Sequence, residues 1–220
     1  MATSTHNKNT KQEKVKPKRS RGRPRPEDVA IIESKLVQVA LNEFLEHGYG
    51  GTSMARIVKV AGISKTTLYS RFSSKEQLFR AIVRQQIDNS APATFLKSDS
   101  GLEQGLKSYA NQMIKLNLEG DLLGVNRLIY SESQRFHELG AAAAERTALG
   151  VRRISQFIQD CAKSSGANCK DPDIAAEVFI LMLRGWFVNV LLTNRDVSVV
   201  EREEWVERAV NVLLADQKHW

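Results

Sequence analysis

Between Lys65 and Arg71 the chain gathers side chains suited to gripping a polyanion: Lys65, Thr66, Thr67, Tyr69, Ser70 and Arg71. These are cations, hydroxyls and one phenol. Displayed on one short helix they supply hydrogen-bond donors for phosphate oxygens and base edges. That chemistry is recognition rather than bond-making. The sequence holds no Gly-rich phosphate loop, no Gly-x-Ser-x-Gly elbow and no clustered His, Cys and carboxylate set. His6, His47, His137 and His219 are scattered. No catalytic residue, metal ligand or cofactor is therefore expected, and the chain does not read as an enzyme. Two cysteines are too few for a secreted disulfide framework, and a reducing cytosol is expected. Cys161 is expected buried and inert and Cys169 exposed, against the alternative of a thiol sensor.

To present those donors, a helix must show one face and anchor the other. Upstream, Ile32, Leu36, Val39, Ala40 and Phe44 recur at helical spacing, predicting an amphipathic helix over 27–47 that Pro26 starts and His47-Gly48-Tyr49-Gly50-Gly51 ends. Thr52 or Ser53 caps a short helix from Met54 to Val60. Ala61-Gly62-Ile63 is a tight turn, with Gly62 free to take positive φ. Ser64 caps a third helix from Lys65 to Phe72. Ser73-Ser74-Lys75-Glu76 has the capping-box spacing and starts a fourth helix that runs to about Asp88. Ile57, Ile63 and Leu68 share a core with Phe44 and Phe72, and Ala55 is small where the second and third helices approach. Two short helices joined by a Gly turn inside such a unit form the helix-turn-helix pattern.

The stretch Thr52-Ser53-Met54-Ala55-Arg56-Ile57, then Ala61-Gly62-Ile63-Ser64-Lys65-Thr66-Thr67-Leu68-Tyr69, then Phe72-Ser73-Ser74-Lys75-Glu76-Gln77-Leu78-Phe79 resembles the amino-terminal domain of the TetR family of bacterial transcriptional regulators. Ala40, Phe44 and Gly48-Tyr49 also fall where that family has them. The resemblance covers about 30–88. It implies an all-α, two-domain architecture: a helix-turn-helix head plus a larger helical ligand-binding and dimerisation domain. It also implies a homodimer whose two heads are moved apart by a ligand. By the same resemblance Lys65, Thr66, Thr67 and Arg71 contact bases and phosphates, and Tyr69 contacts phosphate. Thr52 and Lys75 contact phosphate at the starts of the second and fourth helices.

Charge is divided along the chain. Residues 1–26 carry nine Lys/Arg and one acid, whereas the rest carry 23 Lys/Arg and 24 acids. A neutral body with a basic end predicts an arm that meets a polyanion, without fixed structure of its own. Within the arm, Arg21-Gly22-Arg23-Pro24 looks like the core of an AT-hook, in which Arg21 and Arg23 lie along a narrow minor groove. The alternative is a salt-sensitive tail that only raises general DNA affinity.

Three divisions follow: a basic arm over 1–26, a DNA-binding head over 27–88, and a ligand-binding and dimerisation domain over 95–220. In the last, helices are expected near 102–118, 121–136, 138–164, 172–194 and 201–217. No strand alternation is seen. The helix over 172–194 is apolar on two sides, with one stripe of Ile174, Val178, Leu181, Val188 and Leu192 and another of Phe179, Met182, Trp186 and Val190. Such a helix is covered from two directions. In the resembled family the last two helices form the dimer interface. The stretch from Val178 to Thr193 is interrupted by Arg184 and is shorter than a membrane span, so a cytoplasmic protein, nucleoid-associated when bound, is expected. Tyr109, Met113, Phe136, Phe157 and Trp186 are candidate pocket walls, with Arg127, Glu132 and Asn189 as polar groups among them. The segment Arg127 to Phe136 resembles a TetR subgroup that controls efflux and envelope genes, which implies an apolar or amphipathic inducer.

The partners expected are therefore double-stranded DNA bearing a palindromic operator, a second copy of the chain, and a small-molecule inducer. An architectural protein that bends A·T-rich DNA through its arm competes with this reading, but leaves about 125 helical residues without a purpose. A helical enzyme or carrier leaves the helix-turn-helix pattern unexplained.

Overall fold

The computed structural model describes residues 26–90, 96, 101–166 and 170–215. Among the described residues there are nine helices and no strand: α1 (Pro26–Gly51), α2 (Met54–Ala61), α3 (Lys65–Tyr69), α4 (Lys75–Ser90), α5 (Leu102–Leu118), α6 (Gly120–Glu132), α7 (His137–Ser165), α8 (Pro172–Thr193) and α9 (Val199–Ala215). The fold is all-α, with a helix-turn-helix head and a larger helical portion.

Helix α1 buries Leu36, Val37, Ala40, Leu41 and Phe44, one face at helical spacing. Its regular geometry breaks at Gly48, with φ 72° and ψ 167°, close to the end expected from the sequence. The caps of α2 and α3 also fall where the sequence places them. The Ser53 side chain accepts from the Arg56 N–H at 3.2 Å, and that of Ser64 accepts from the Thr67 N–H at 3.0 Å. Gly62 ends α2 in the left-handed region at φ 65°, which turns the chain between the two helices.

Three local expectations are corrected. Helix α3 stops at Tyr69 rather than Phe72, although the Phe72 N–H still donates to the Leu68 carbonyl at 2.9 Å and keeps Phe72 in the core. Ala55 faces solvent, so the α2–α3 packing rests on Ile57 and Leu68, both fully buried, and not on a small residue at 55. The cap of α4 is shifted by one residue. Ser74, not Ser73, accepts from the Gln77 N–H at 3.1 Å, and the Gln77 amide oxygen accepts from the Ser73 N–H at 3.0 Å. Glu76 is left to pair with Arg80 one turn on.

Two apolar cores organise the chain. The first lies beneath α1–α4 and continues into Leu122, Val125, Leu128 and Ile129 of α6 and Leu139, Ala142 and Ala143 of α7. The second is built from α5, the rest of α7, α8 and α9. The head therefore shares its core with α6 and the start of α7. Helix α7, 29 residues long, runs through both cores.

Helix α8 is longer than the apolar stretch read from sequence. Its 22 residues are long and apolar enough to cross a membrane by length and composition. It packs against α5, α7 and α9, however, and Arg184 in its middle bonds to Tyr130 and Thr147. The two expected stripes separate at most positions, with Met182, Trp186 and Val188 half-buried. Phe179 and Val190 are buried, while Ile174, Val178, Leu181 and Leu192 are exposed.

Helices α5 and α7 approach so closely that a Cβ on Gly105 would overlap the Phe157 ring. Gly105→Ala is expected to destabilise the fold by about 1–3 kcal/mol through overpacking. The check is the urea midpoint, and an unchanged midpoint contradicts the close approach.

Candidate nucleic-acid interface

Lys65, Thr66 and Tyr69 project from α3 into solvent, with Tyr69 50% exposed. None of the three side chains is held by a hydrogen bond or ion pair among the described residues. Leu68, on the opposite side, is fully buried and anchors the helix. The short α3 thus turns one cation, one hydroxyl and one phenol outward from a fixed base.

Other predicted contacts are already committed. The Thr67 hydroxyl lies 2.8 Å from the Ser64 hydroxyl, within the cap of α3. Arg71 pairs with Glu33 of α1 at 3.2 Å. Thr52 is 2% exposed, and its hydroxyl sits 2.9 Å from both the Glu43 and Gly48 carbonyls. Its side chain is a clamp on the end of α1 and is not presented to phosphate. Lys75 is turned inward as well. Its ammonium donates to the Tyr49 and Thr52 carbonyls at 2.8 and 3.1 Å and lies 4.3 Å from the centre of the Tyr49 ring. Burial lowers the Lys75 pKa, while Glu138 and Glu132 oppose that shift. Arg21 and Arg23 lie outside the described residues.

Beneath this surface sits a link that the sequence reading placed elsewhere. Glu132, at the end of α6, accepts from two successive backbone N–H groups, Tyr49 at 2.8 Å and Gly50 at 3.0 Å. The break in helical geometry at Gly48 leaves these two amides, just after it, without helical acceptors. A Cβ on Gly48 would stand 2.8 Å from the Glu132 carboxylate, and one on Gly50 would stand 3.1 Å from the Phe136 ring. Glycine on both sides of Tyr49 is what admits the carboxylate and the ring. Tyr49 stacks on Phe44 at 5.3 Å and meets Phe79 and Phe136 edge-on at 5.5 and 5.1 Å. Burial first, then Glu138, raises the Tyr49 pKa. Glu132 and Phe136 therefore join head to body.

Of the remaining pocket candidates, Tyr109 and Met113 line a cavity between α5, α7 and α8. Arg127 lines a different cavity, of about 210 Å³, beside Asn194, whose side-chain oxygen it reaches at 3.4 Å. Phe157 is buried against Gly105, Trp186 stacks on Trp205 at 5.0 Å, and Asn189 faces solvent. The sequence reading missed the cavity's polar side chains, Asn117, Arg146, Thr147 and Arg184. The one available signal was two arginines within otherwise apolar helical stretches.

Glu43, Glu46 and His47 bring possible metal-ligand atoms within 4.8 Å of one another, a grouping the sequence reading did not identify. The Arg56 guanidinium bonds to Glu43 and His47 and supplies the positive charge there, so the grouping is explained without a metal. Cys161 is buried, and burial raises its thiol pKa; both disfavour a reactive thiolate. Cys169 lies outside the described residues.

Comparison with known proteins agrees with this geometry. A model of bacterial regulatory proteins of the tetR family matches residues 36–82. A model of the AefR-like transcriptional repressor C-terminal domain matches residues 104–216, half of the chain. The HTH-type transcriptional repressor ComR of Escherichia coli K12 is 36% identical over 95 residues, 42% of this chain and 43% of ComR. The regulator RutR of the same organism is 32% identical over 105 residues, 47% of this chain and 49% of RutR. The chain thus spans about half the length of the curated relatives it matches. Among solved structures, the flavonoid-responsive regulator FrrA superposes with a TM-score of 0.68 at 29% identity, covering 84% of this chain and 96% of FrrA.

The Glu132 link predicts a local effect. Glu132→Gln replaces one acceptor oxygen by a donor that faces an N–H. It is expected to cost about 1–3 kcal/mol and to speed hydrogen exchange at the Tyr49 and Gly50 amides. Unchanged protection of both amides would show that the carboxylate does not hold the head.

Proposed function

The chain belongs to the TetR family of bacterial regulatory proteins, DNA-binding transcription regulators that are not enzymes, and from that premise we propose that it is a repressor that binds a palindromic operator as a homodimer and is released by a small apolar or amphipathic inducer. The observation that carries the proposal is the exposed face of α3, where Lys65, Thr66 and Tyr69 stand on a helix anchored by Leu68. Those three are the direct DNA contacts. Thr67 and Arg71 each spend part of their hydrogen-bonding capacity inside the head, on Ser64 and Glu33, and keep the rest for DNA, and Thr52 and Lys75 hold the surface in shape. The match to a repressor domain favours repression over activation.

The exposed stripe of α8 supports the dimer. Ile174 and Leu192, at its two ends, are 61% and 68% exposed, with Val178 and Leu181 between them. A row of large apolar residues along one helix is costly to leave in water. A second copy of the same stripe covers it with twofold symmetry. Two α3 helices must then enter successive major grooves, about 34–36 Å apart. The inducer acts by preferring a dimer in which that spacing is wrong, and only to the extent of its differential affinity. The role division into an arm over 1–26, a head over 27–88 and a ligand and dimer domain over 95–220 belongs to this proposal. In it, Arg21 and Arg23 of the arm follow the minor groove beside the operator.

Footprinting on DNA upstream of the chain's own gene is expected to protect one or two short palindromes. Broad protection of A·T-rich DNA would instead favour an architectural protein. Tyr69→Phe is expected to weaken operator binding about ten- to hundredfold, the cost of one hydrogen bond to a charged phosphate, with an unchanged urea midpoint. Deleting residues 2–25 is expected to lower the slope of log K against log salt by about one for each phosphate that the arm neutralises. An equal slope means that the arm neutralises none. Val178→Asp with Leu181→Asp is expected to give monomers in sedimentation velocity and to abolish the footprint. A dimer that survives both changes places the interface elsewhere.

A further inference from the structure

The cavity between α5, α7 and α8 has an unusual composition. Met113, Ile114, Ile180, Leu183 and Phe187 give it apolar walls, yet Arg146 and Arg184 both line it and no carboxylate does. Neither arginine has a carboxylate in ion-pair range among the described residues. Arg146 donates from Nη2 to the Asn126 side-chain oxygen at 2.8 Å, while its Nη1 is shut off from solvent and has no hydrogen-bond partner. Arg184 donates from Nε to the Tyr130 hydroxyl at 3.2 Å and from Nη1 to the Thr147 hydroxyl at 2.9 Å. Two guanidinium groups therefore sit close together with only neutral acceptors.

That arrangement is costly when empty. A buried cation without an opposite charge loses hydration it does not recover, and like charges add repulsion. Burial and the nearby Arg184 together lower the Arg146 pKa to about 10, against support from Tyr130, so Arg146 keeps its charge at neutral pH. The planar fork of a guanidinium matches a carboxylate, with two parallel N–H···O bonds. Tyr109, also on the cavity wall, has its phenol pushed up to about 12 by burial and stays a neutral donor.

We propose that the inducer is a small amphipathic carboxylic acid whose carboxylate is held between Arg146 and Arg184 while its apolar body lies against Met113, Ile180 and Phe187. The proposal rests on the ligand-responsive reading and specifies the ligand. The cavity measures about 60 Å³, space for roughly four to six waters. That is the bulk of a one-ring or short-chain acid.

The same arginine stands at a junction with the head. Asn126, which accepts from Arg146, lies on α6, the helix that ends at Glu132. Glu145, the residue before Arg146, pairs with Arg80 of α4. A carboxylate that competes with Asn126 for Arg146 thus acts on both helices that hold the head.

The test is a thermal-shift and operator-release titration of the full chain at fixed ionic strength, using benzoate against benzamide and hexanoate against hexanamide. At least one acid is expected to raise Tm and release operator DNA at concentrations tenfold or more below its amide. Arg146→Met and Arg184→Gln are each expected to weaken that acid's effect tenfold or more while operator binding without ligand persists. If one variant does not fold, the other and the acid–amide comparison on the unaltered chain still decide. An amide as effective as its acid, or an acid equally effective on both variants, overturns the carboxylate assignment and leaves ligand response standing. No Tm shift and no release with either acids or amides overturns the assignment and removes the cavity's support for ligand response too.

Discussion

The position of the DNA-reading surface depends on one carboxylate. Glu132 lies at the end of α6, in the body of the molecule, and is bonded to two amides at the end of α1, in the head. Hydrogen bonds to a charged acceptor are worth about 1.5–3 kcal/mol each, more than an exposed ion pair such as Arg71–Glu33 supplies. The two bonds also fix a direction, since both oxygens meet consecutive N–H groups. Beside them Phe44, Tyr49, Phe79 and Phe136 form an aromatic cluster, and Lys75 ties the carbonyls of Tyr49 and Thr52 to the start of α4. The first apolar core then extends the same connection from the head into α6 and α7. A head attached only by α4 could swing independently. This one is joined to α6 as well, by the Glu132 bonds and the shared core.

Much of the head was legible in the sequence because its determinants are local. A serine before a helix, a glycine after one and apolar residues at helical spacing each act within a few residues. Ser53, Ser64, Gly62 and the buried face of α1 accordingly stand where the pattern puts them. Ser73 and Ser74 show the limit of that reasoning. Both fit a cap, and the choice of Ser74 is made by Gln77, whose amide returns to the Ser73 N–H. The direction in which Thr52 and Lys75 point was not legible at all. Each has a side chain suited to phosphate, and each is drawn inward by carbonyls that only the folded end of α1 brings near.

The body shows the same division more sharply. The pattern located its helices and both stripes of α8, because an apolar stripe is periodic whether it meets its own core or another chain. It found Tyr109 and Met113 of the cavity wall but not the rest, since a wall is made of side chains from α5, α7 and α8 whose relative rotation the sequence does not encode locally. Trp186 and Phe157 have the size and polarity of pocket walls, yet one stacks on Trp205 and the other fills the space left by Gly105. Arg146 has no role legible in the sequence, and Arg184 stands out there only as an interruption of an apolar stretch. Tertiary packing placed them inside.

Glu132 and Arg146, both half-buried, differ in how fully the protein answers their charge. Glu132 is fully answered by the backbone it binds, so it stiffens the junction between head and body. Arg146 is answered only in part, by one amide oxygen on the same helix that carries Glu132. A satisfied charge holds a structure, whereas a half-satisfied one leaves free energy available to whatever completes it. To move a dimer from almost wholly DNA-competent to almost wholly released, a ligand needs about 5.5 kcal/mol of preference between the two forms. Apolar contact made equally in both forms supplies none of that preference. A charge pair formed in one geometry and not in the other supplies preference itself. That asymmetry makes the position of Arg146 relative to α6 the more effective lever.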